Sequence, residues 1–140
     1  LKEVTQLREE LVMLKALTLL NKVVQVKKIN LLVHRFDGMS GDSLQVAALR
    51  IIDEVGDSSA IILGGVPEAS IPNKLILVVA FGKEIISNDL HAGKFIVDIA
   101  KFCGGGGGGR PNIAQAGGRY PEKLDEALKL AKEKLLLHLS

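Results

Sequence analysis

The residues best suited to binding or chemistry lie between Cys103 and Pro121, in the stretch CGGGGGGRPNIAQAGGRYP. This stretch holds eight of the chain's 15 glycines. A backbone without Cβ atoms lets amide groups converge on an anion and lets a partner approach closely. Arg110 adds a planar guanidinium that suits phosphate, and Gln115 can donate and accept hydrogen bonds. No acid lies between residues 99 and 121 to repel an anion. The stretch therefore predicts an anion-binding loop that a partner contacts closely.

Two known phosphate motifs do not fit this stretch. A P-loop needs Lys followed by Ser or Thr where this chain has Arg110 and Pro111, so the hydroxyl ligand for magnesium is missing. A GxGxxG pattern is met by any run of six glycines, and here the run follows a predicted helix rather than a strand. A flexible linker is the alternative, although linker glycines are usually diluted with serine and separate modules.

The charge of the chain is unevenly distributed, although its net value is only +2. Two segments, 11–36 and 99–121, contain basic residues and no acid, which favours a partner with many negative charges. A solvated basic face without a partner is the alternative. The chain has no tryptophan and one tyrosine, so base-by-base binding of unpaired strands is disfavoured. Contact with the shape and phosphates of a folded RNA fits better.

Other reactive residues favour structural roles, so no catalytic site is expected. The single cysteine, Cys103, allows no internal disulfide and is predicted to be a buried spacer. The three histidines show no metal-ligand spacing; His34 fits a strand and His138 a helix end. Ser40 is predicted to cap a helix. With no membrane-spanning run and no signal-peptide pattern, a cytoplasmic protein is expected.

The first residues predict a helix with an apolar seam. Spacings of three and four place Val4, Leu7, Leu11 and Leu14 on one stripe, which predicts packing against another helix or a second copy of the chain. We expect residues 1–22 to end a helical, coiled-coil-like subdomain and residues 23–140 to form a globular domain that carries the glycine-rich loop. Because the chain starts without methionine inside this helix, we interpret it as a fragment of a longer protein.

The remaining pattern predicts an α/β or α+β fold, in which a projecting N-terminal helix precedes a mixed sheet packed by helices. The short link between the two continuous apolar runs leaves no room for a crossover helix, so these strands should pair antiparallel. The predicted elements are a strand over 29–36, a helix over 40–55 with Gly56 as a left-handed cap, strands over 60–63 and 75–81, a helix from Asn88 to Cys103, and a last helix opened by Pro121.

The segment GGGGGGRPNIAQAGG, from Gly104 to Gly118, resembles a signature near the end of alanyl-tRNA synthetases. That family usually has Asp-Met where this chain has Asn112 and Ile113, and we interpret the difference as neutral. The resemblance, together with the basic segments, predicts a nucleic-acid-binding set made of Lys22, Lys27, Lys28, Arg35, Lys101, Gly104, Gly105, Gly106, Gly107, Gly108, Gly109, Arg110, Gln115, Gly117, Gly118 and Arg119.

The resemblance implies a C-terminal domain that contacts the elbow of tRNA(Ala) and helps one tRNA reach both the aminoacylation and the editing domains. It also implies self-association through the helical part, with a homodimer seam at Val4, Leu7, Leu11 and Leu14. ATP and zinc would belong to other domains, so no cofactor is expected in this chain. The alternatives are a purely structural self-association module, a free-standing editing protein, and a DHH-type exonuclease, which Arg110-Pro111 and the scarce aromatics disfavour.

Overall fold

The structure is a computed structural model that describes residues 2–67 and 73–139, with the backbone alone at residues 2–6, 8, 9 and 12. Its helices are α1 (Lys2–Leu19), α2 (Gly41–Val55), α3 (Lys83–Ile86), α4 (Ala92–Phe102) and α5 (Leu124–His138). Its strands are β1 (Val24–Val26), β2 (Ile29–Arg35), β3 (Ser59–Gly65), β4 (Leu75–Phe81), β5 (Gly106–Gly109) and β6 (Ile113–Gly118). Short 3-10 turns at Leu20–Lys22 and Pro121–Lys123 precede β1 and α5.

The six strands form one mixed sheet in the order β1-β2-β3-β4-β6-β5. Among the described strands, only β2 and β3 pair in parallel, and helix α2 connects them. The other neighbours are antiparallel, including β3 and β4 as the short link between them predicts. Strands β1 and β5 are therefore the two opposite edges of the sheet.

Helices cover both faces of this sheet, as the continuous apolar runs predict. Alternate residues of β3 separate the two cores: Ile62 packs with the residues of α4 and α5, whereas Ile61 and Leu63 pack with those of α1 and α2. The predicted class, a mixed sheet packed by helices, is confirmed. The boundary predicted at residue 22 stays a prediction, although Ala16 and Leu19 of α1 are buried in the α2 core.

Local signals place the ends of α2 correctly. Ser40 caps the helix, because its hydroxyl accepts a hydrogen bond from the amide of Ser43 at 3.2 Å. Gly56 ends it with φ +114° and donates its amide to the Ile52 carbonyl at 2.8 Å. Its φ is positive as predicted, but its ψ of −177° lies outside the left-handed helical region.

One predicted helix start is wrong, and the other is the start of a 3-10 turn that continues into an α-helix. The helix predicted from Asn88 begins at Ala92, because Asp89 adopts φ +64° in the turn after α3. His91 caps α4 instead, and its Nδ1 accepts from the Lys94 amide at 3.2 Å. Pro121 begins a 3-10 turn, and the α-helix itself starts at Leu124.

Candidate nucleic-acid interface

Most of the glycine run is a β-strand, not the loop that the sequence predicts. Residues Gly106–Gly109 form β5, which pairs with β6 at the edge of the sheet. Gly104 ends α4 with φ +75°, and Gly105 donates its amide to the Ala100 carbonyl at 2.9 Å. Glycine has a low strand propensity, so the pairing with β6 and the packing against α4 make this segment extended.

On the side of the sheet that faces α4, glycine is required by close packing. A Cβ on Gly107 would lie 2.4 Å from the Ala116 Cα, and a Cβ on Gly109 would lie 2.6 Å from the Ile113 oxygen. Helix α4 approaches just as closely, since a Cβ on Gly93 would lie 2.4 Å from the Gly109 oxygen. These glycines therefore serve the fold.

On the opposite side of the same strand, glycine is not required by the described structure. A Cβ on Gly106 or Gly108 would meet no atom within 4 Å, and neither residue has a positive φ. A Cβ on Gly117 of β6 would meet only the Leu75 oxygen, at 3.7 Å. The result is a patch of bare backbone, which we call the open glycine face (Gly106, Gly108 and Gly117). Packing and backbone conformation do not account for glycine at these positions.

The free edge of β5 also presents backbone donors. The Arg110 amide donates to the Ile113 oxygen at 2.8 Å, which makes residues 110 and 113 a hydrogen-bonded pair. Because such pairs alternate along an antiparallel ladder, the amides of Gly107 and Gly109 point away from β6. The carbonyl groups of the same two residues also point away from β6, so this edge offers acceptors as well as donors, and its amides are the groups that suit an anion.

Exposed cations flank both ends of β5. Arg110 lies in the turn between β5 and β6, and its guanidinium makes no ion pair with the described residues. Arg119 and Lys101 lie at the other end, where the Arg119 amide bonds to the Cys103 oxygen at 2.9 Å, just after the last turn of α4. The six residues of β6 separate the two ends by about 20 Å.

The second predicted basic group lies at the opposite edge of the sheet. Lys22, Lys27 and Lys28 surround β1, and five strand intervals, roughly 24 Å, separate β1 from β5. Burial, with a further contribution from Lys22, lowers the pKa of His34 in the neighbouring strand β2. The structure therefore does not combine the two basic groups into one surface.

Lys27 and Arg35, which the sequence also assigns to the nucleic-acid-binding set, have partners within the protein. The Lys27 ammonium donates to the Leu136 carbonyl near the end of α5, at 3.2 Å. Arg35 forms ion pairs with Asp37 at 3.1 Å and with Asp125 at 3.2 Å. Burial works to raise the pKa of Asp37, but hydrogen bonds from the Val66 amide and Arg35 outweigh it and lower that pKa.

Gln115 and Gly118 are likewise constrained by the fold. The Gln115 side chain lies against the start of α2, where its Oε1 accepts from Gln45 and where a Cβ on Gly41 would clash with its amide. Gly118 packs on Cys103, because a Cβ on Gly118 would lie 2.7 Å from the cysteine Cβ. Gln115 therefore borders the open glycine face but has a partner within the protein.

One residue of this region carries no sequence signal. Lys74 lines a cleft of about 300 Å³ together with Gln115 and the start of α2, on the same side of the sheet as the open glycine face. Its position is known only from the strand register: Leu75, the residue after Lys74, lies opposite Gly118 at the end of β6. An isolated lysine before an apolar run is too common to be singled out.

The surroundings of Cys103 disfavour reactivity at its thiol. Cys103 is buried, and burial raises the pKa of its thiol despite the nearby Lys123, which disfavours the nucleophilic thiolate. No group of three or more potential metal ligands occurs among the described residues. Among these residues, no helix is long and apolar enough to span a membrane.

The leucine seam of α1 is exposed. Leu7, Leu11 and Leu14 are 64%, 51% and 63% exposed, whereas Ala16 and Leu19 face α2. The side chain of Val4 lies outside the described residues. Three leucines on one helix face, exposed to this degree, form an apolar stripe that the described part of the chain leaves uncovered.

Comparison with known proteins identifies the family. The DHHA1 domain model matches residues 28–136. The alanine–tRNA ligase of Prochlorococcus marinus is 52% identical over 132 residues, which are 94% of this chain and 15% of that protein. This chain thus spans about one seventh of the length of that relative.

Two solved structures share the fold. The C-Ala domain of Aquifex aeolicus alanyl-tRNA synthetase has a TM-score of 0.69 and 29% identity, over 81% of this chain and 96% of that one. The DHH domain of a protein described as a member of the s1p family of ribosomal proteins has a TM-score of 0.60 and 19% identity, over 96% of this chain and 31% of that one, and it shows the fold alone. The chain belongs to the DHHA1 domain family, and its sequence and fold group it with the C-terminal domains of alanine–tRNA ligases.

Proposed function

We propose that this domain binds folded tRNA(Ala) for an alanine–tRNA ligase, with the open glycine face and the β5 edge at the contact. The observation that supports this most is that Gly106 and Gly108 are glycine although neither packing nor φ requires it. A methyl group at either position would hold a partner's backbone away. Arg110, Arg119 and Lys101 at the two ends of the strand supply charge for phosphates.

In the parent enzyme, we propose that the domain contacts the elbow of the tRNA and helps one tRNA reach both the aminoacylation and the editing domains. Those domains would hold ATP and zinc, and the enzyme would act in the cytoplasm. Backbone amides and arginines contact phosphates without distinguishing bases. The proposed contact therefore recognises the shape of the tRNA rather than its base sequence. Recognition of the amino-acid identity of the tRNA is therefore assigned to the other domains.

The experiment compares this chain's binding to folded tRNA(Ala) and to an unpaired RNA of equal length across a salt series. We expect tighter binding to the folded RNA and an affinity that falls steeply with salt, because each phosphate contact releases counterions. Arg110→Gln should weaken binding and leave the melting temperature unchanged. Equal binding of the two RNAs, or none, would contradict the proposal; unfolding of the Arg110→Gln variant would show that Arg110 is structural.

Self-association through α1 is a second candidate function, and the exposed stripe Leu7, Leu11 and Leu14 favours it. This surface lies on a different element from the open glycine face, so the two functions do not exclude each other. The stripe suits a second copy of the same helix, because heptad-like leucines bury one another when two helices align.

A further inference from the structure

A second surface with the chemistry of an anion site lies on the α4–α5 side of the sheet. A cleft of about 480 Å³ opens between the start of α4 and the end of α5. Leu90, Phe95 and Leu137 form its apolar part, and two lysines and two histidines complete most of the lining. This volume lies within the range of small-ligand sites, which are mostly apolar with a few convergent polar groups.

The start of α4 supplies two donors to this cleft. The Nδ1 atom of His91 accepts the Lys94 amide hydrogen at 3.2 Å, so the neutral ring carries its proton on Nε2 and can donate it to an acceptor. The Lys94 ammonium is exposed and makes no hydrogen bond or ion pair with the described residues. Both groups suit an anion.

Helix α5 supplies a third donor and a second imidazole. The Lys134 ammonium lies 2.7 Å from Asp98 Oδ2 and 5.1 Å from the ring centroid of Phe95, and these contacts hold it at the cleft. His138 uses Nε2 in a 3.0 Å contact with the Asn88 carbonyl. Because that carbonyl can only accept, Nε2 carries the proton, and Nδ1 of the neutral ring is left as an acceptor, so His138 borders the phosphate site without donating to it.

The turn that carries Arg110 is hydrogen-bonded to the start of α4, whose residues His91 and Lys94 line the cleft. The amides of Ala92 and Gly93 donate to the carbonyls of Pro111 and Arg110 at 3.0 and 3.1 Å, which joins the β5–β6 turn to the start of α4. Lys94 is the next residue. Asp89 is the acid of the lining, and Asp98 pairs with Lys134, so Lys94 is the cation of the cleft that has no ion pair among the described residues.

We propose that this cleft binds a phosphate-bearing nucleotide of the RNA strand that passes Arg110. Lys94, Lys134 and the Nε2 of His91 contact the phosphate, and Leu90 and Leu137 lie against the sugar or base. This inference rests on the proposed RNA-binding function and extends the interface from the β5 edge onto α4 and α5.

A titration with inorganic phosphate and with adenosine 5′-monophosphate tests the cleft without RNA. The imidazole resonances of the three histidines are followed by NMR, and His34 in β2 is the internal control. We expect the resonances of His91 and His138 to shift with both compounds, and more at equal concentration with the nucleotide because of the apolar part of the cleft. Shifts at all three histidines, or at none, would overturn the proposal.

The RNA assay then separates this inference from the proposed function. Lys94→Gln should weaken tRNA binding about fivefold and reduce the slope of log K against log salt by about one, as expected for one lost phosphate contact. Lys94→Arg should restore both. The matched control is Lys132→Gln, because Lys132 is exposed on α5 but does not line the cleft.

Each outcome decides between the two proposals. If the unsubstituted chain binds tRNA but Lys94→Gln behaves like Lys132→Gln, the cleft is not part of the interface, whereas the proposed function stands. If Lys94→Gln behaves like Lys132→Gln while phosphate still shifts the resonances of His91 and His138, the cleft binds free phosphate compounds. The RNA assignment is then overturned. If the unsubstituted chain binds no RNA, the proposed function itself fails.

Discussion

Glycine has two separate roles in β5, and the alternation of the strand assigns them. Odd-numbered positions face α4, where a Cβ on Gly107 or Gly109 would overlap neighbouring backbone. Even-numbered positions, Gly106 and Gly108, face open space. The four glycines of β5 are identical in sequence, but two of them are structural and two are available to a partner.

This division predicts different effects for neighbouring substitutions. Gly108→Ala should leave the free energy of unfolding unchanged or raise it by up to about 1 kcal/mol, because its φ suits alanine and the unfolded chain loses freedom. It should nevertheless weaken tRNA binding. Gly107→Ala should destabilise the domain by about 1–3 kcal/mol through overpacking. Urea denaturation beside the RNA assay checks both, and equal stability losses would refute the division.

The carboxylate of Asp37 links the end of β2 to the segment after β3. Its Oδ1 accepts from the Val66 amide at 2.9 Å, and Arg35 lies at 3.1 Å. Because the folded pKa lies below the ordinary value, this carboxylate stabilises the fold at pH values above about 4, where the unfolded side chain is ionised. That contribution is lost as pH falls through the folded pKa.

Asp37→Asn should therefore have a pH-dependent effect. At pH 7 we expect the substitution to lower the free energy of unfolding by about 1 kcal/mol, since the ion pair of Asp37 with Arg35 is half exposed. The difference in free energy of unfolding between the variant and the unsubstituted chain should shrink as pH falls below about 4. Both proteins then lack a negative charge at position 37. Urea denaturation at pH 7 and pH 3 measures it, with Asp53→Asn on the exposed side of α2 as the control. A gap that stays constant with pH would argue against the ionic contribution.

At the scale of elements, α1 combines a buried and an exposed apolar face. Ala16 and Leu19 fix its last turns against α2, whereas the leucines of the seam face solvent. Burying such side chains fully contributes roughly 1.5–3 kcal/mol each. A partner that covers this stripe would therefore be stabilised by the burial of these leucines.

We predict that the combined variant Leu7→Gln and Leu11→Gln converts a dimer of this chain to a monomer while leaving its melting behaviour in dilute solution unchanged. Sedimentation equilibrium over a concentration series measures the mass. Val46→Gln is the matched control, since Val46 is also half exposed but lies on α2. An unsubstituted chain that stays monomeric at every concentration would rule out self-association through this stripe.

At the scale of the whole molecule, the order of the strands decides which cations can act together. The basic residues around β1 and those around β5 lie at opposite edges of one sheet, roughly 24 Å apart. Arg35 and Lys27 have partners within the fold, whereas Arg110 has none among the described residues. The β5 edge is therefore the better candidate for the RNA contact.

We predict that Arg119→Gln reduces the salt slope of tRNA binding by about one, whereas Lys28→Gln at the β1 edge changes neither the slope nor the affinity. Both residues are exposed, so neither substitution should alter the melting temperature. Isothermal titration at several salt concentrations measures the slopes. An effect of Lys28→Gln as large as that of Arg119→Gln would mean that the RNA reaches both edges.

The sequence by itself determined the elements whose signals are local. Apolar runs without alternation indicate strands covered on both faces, and the short link indicates the antiparallel pairing of β3 and β4. Ser40 and Gly56 mark the ends of α2 because capping depends on neighbouring residues alone. The segment from Gly104 to Gly118 was specific enough to indicate the family.

Only the tertiary structure decided the form of the glycine run and the arrangement of the charges. Glycine carries no preference for a strand, so β5 depends on pairing with β6 and on the approach of Gly93 in α4, both of which are non-local. The separation of the basic groups follows from the strand order, which charge spacing along the chain does not encode. The cleft at His91 and Lys134 likewise exists only because packing brings the start of α4 to the end of α5.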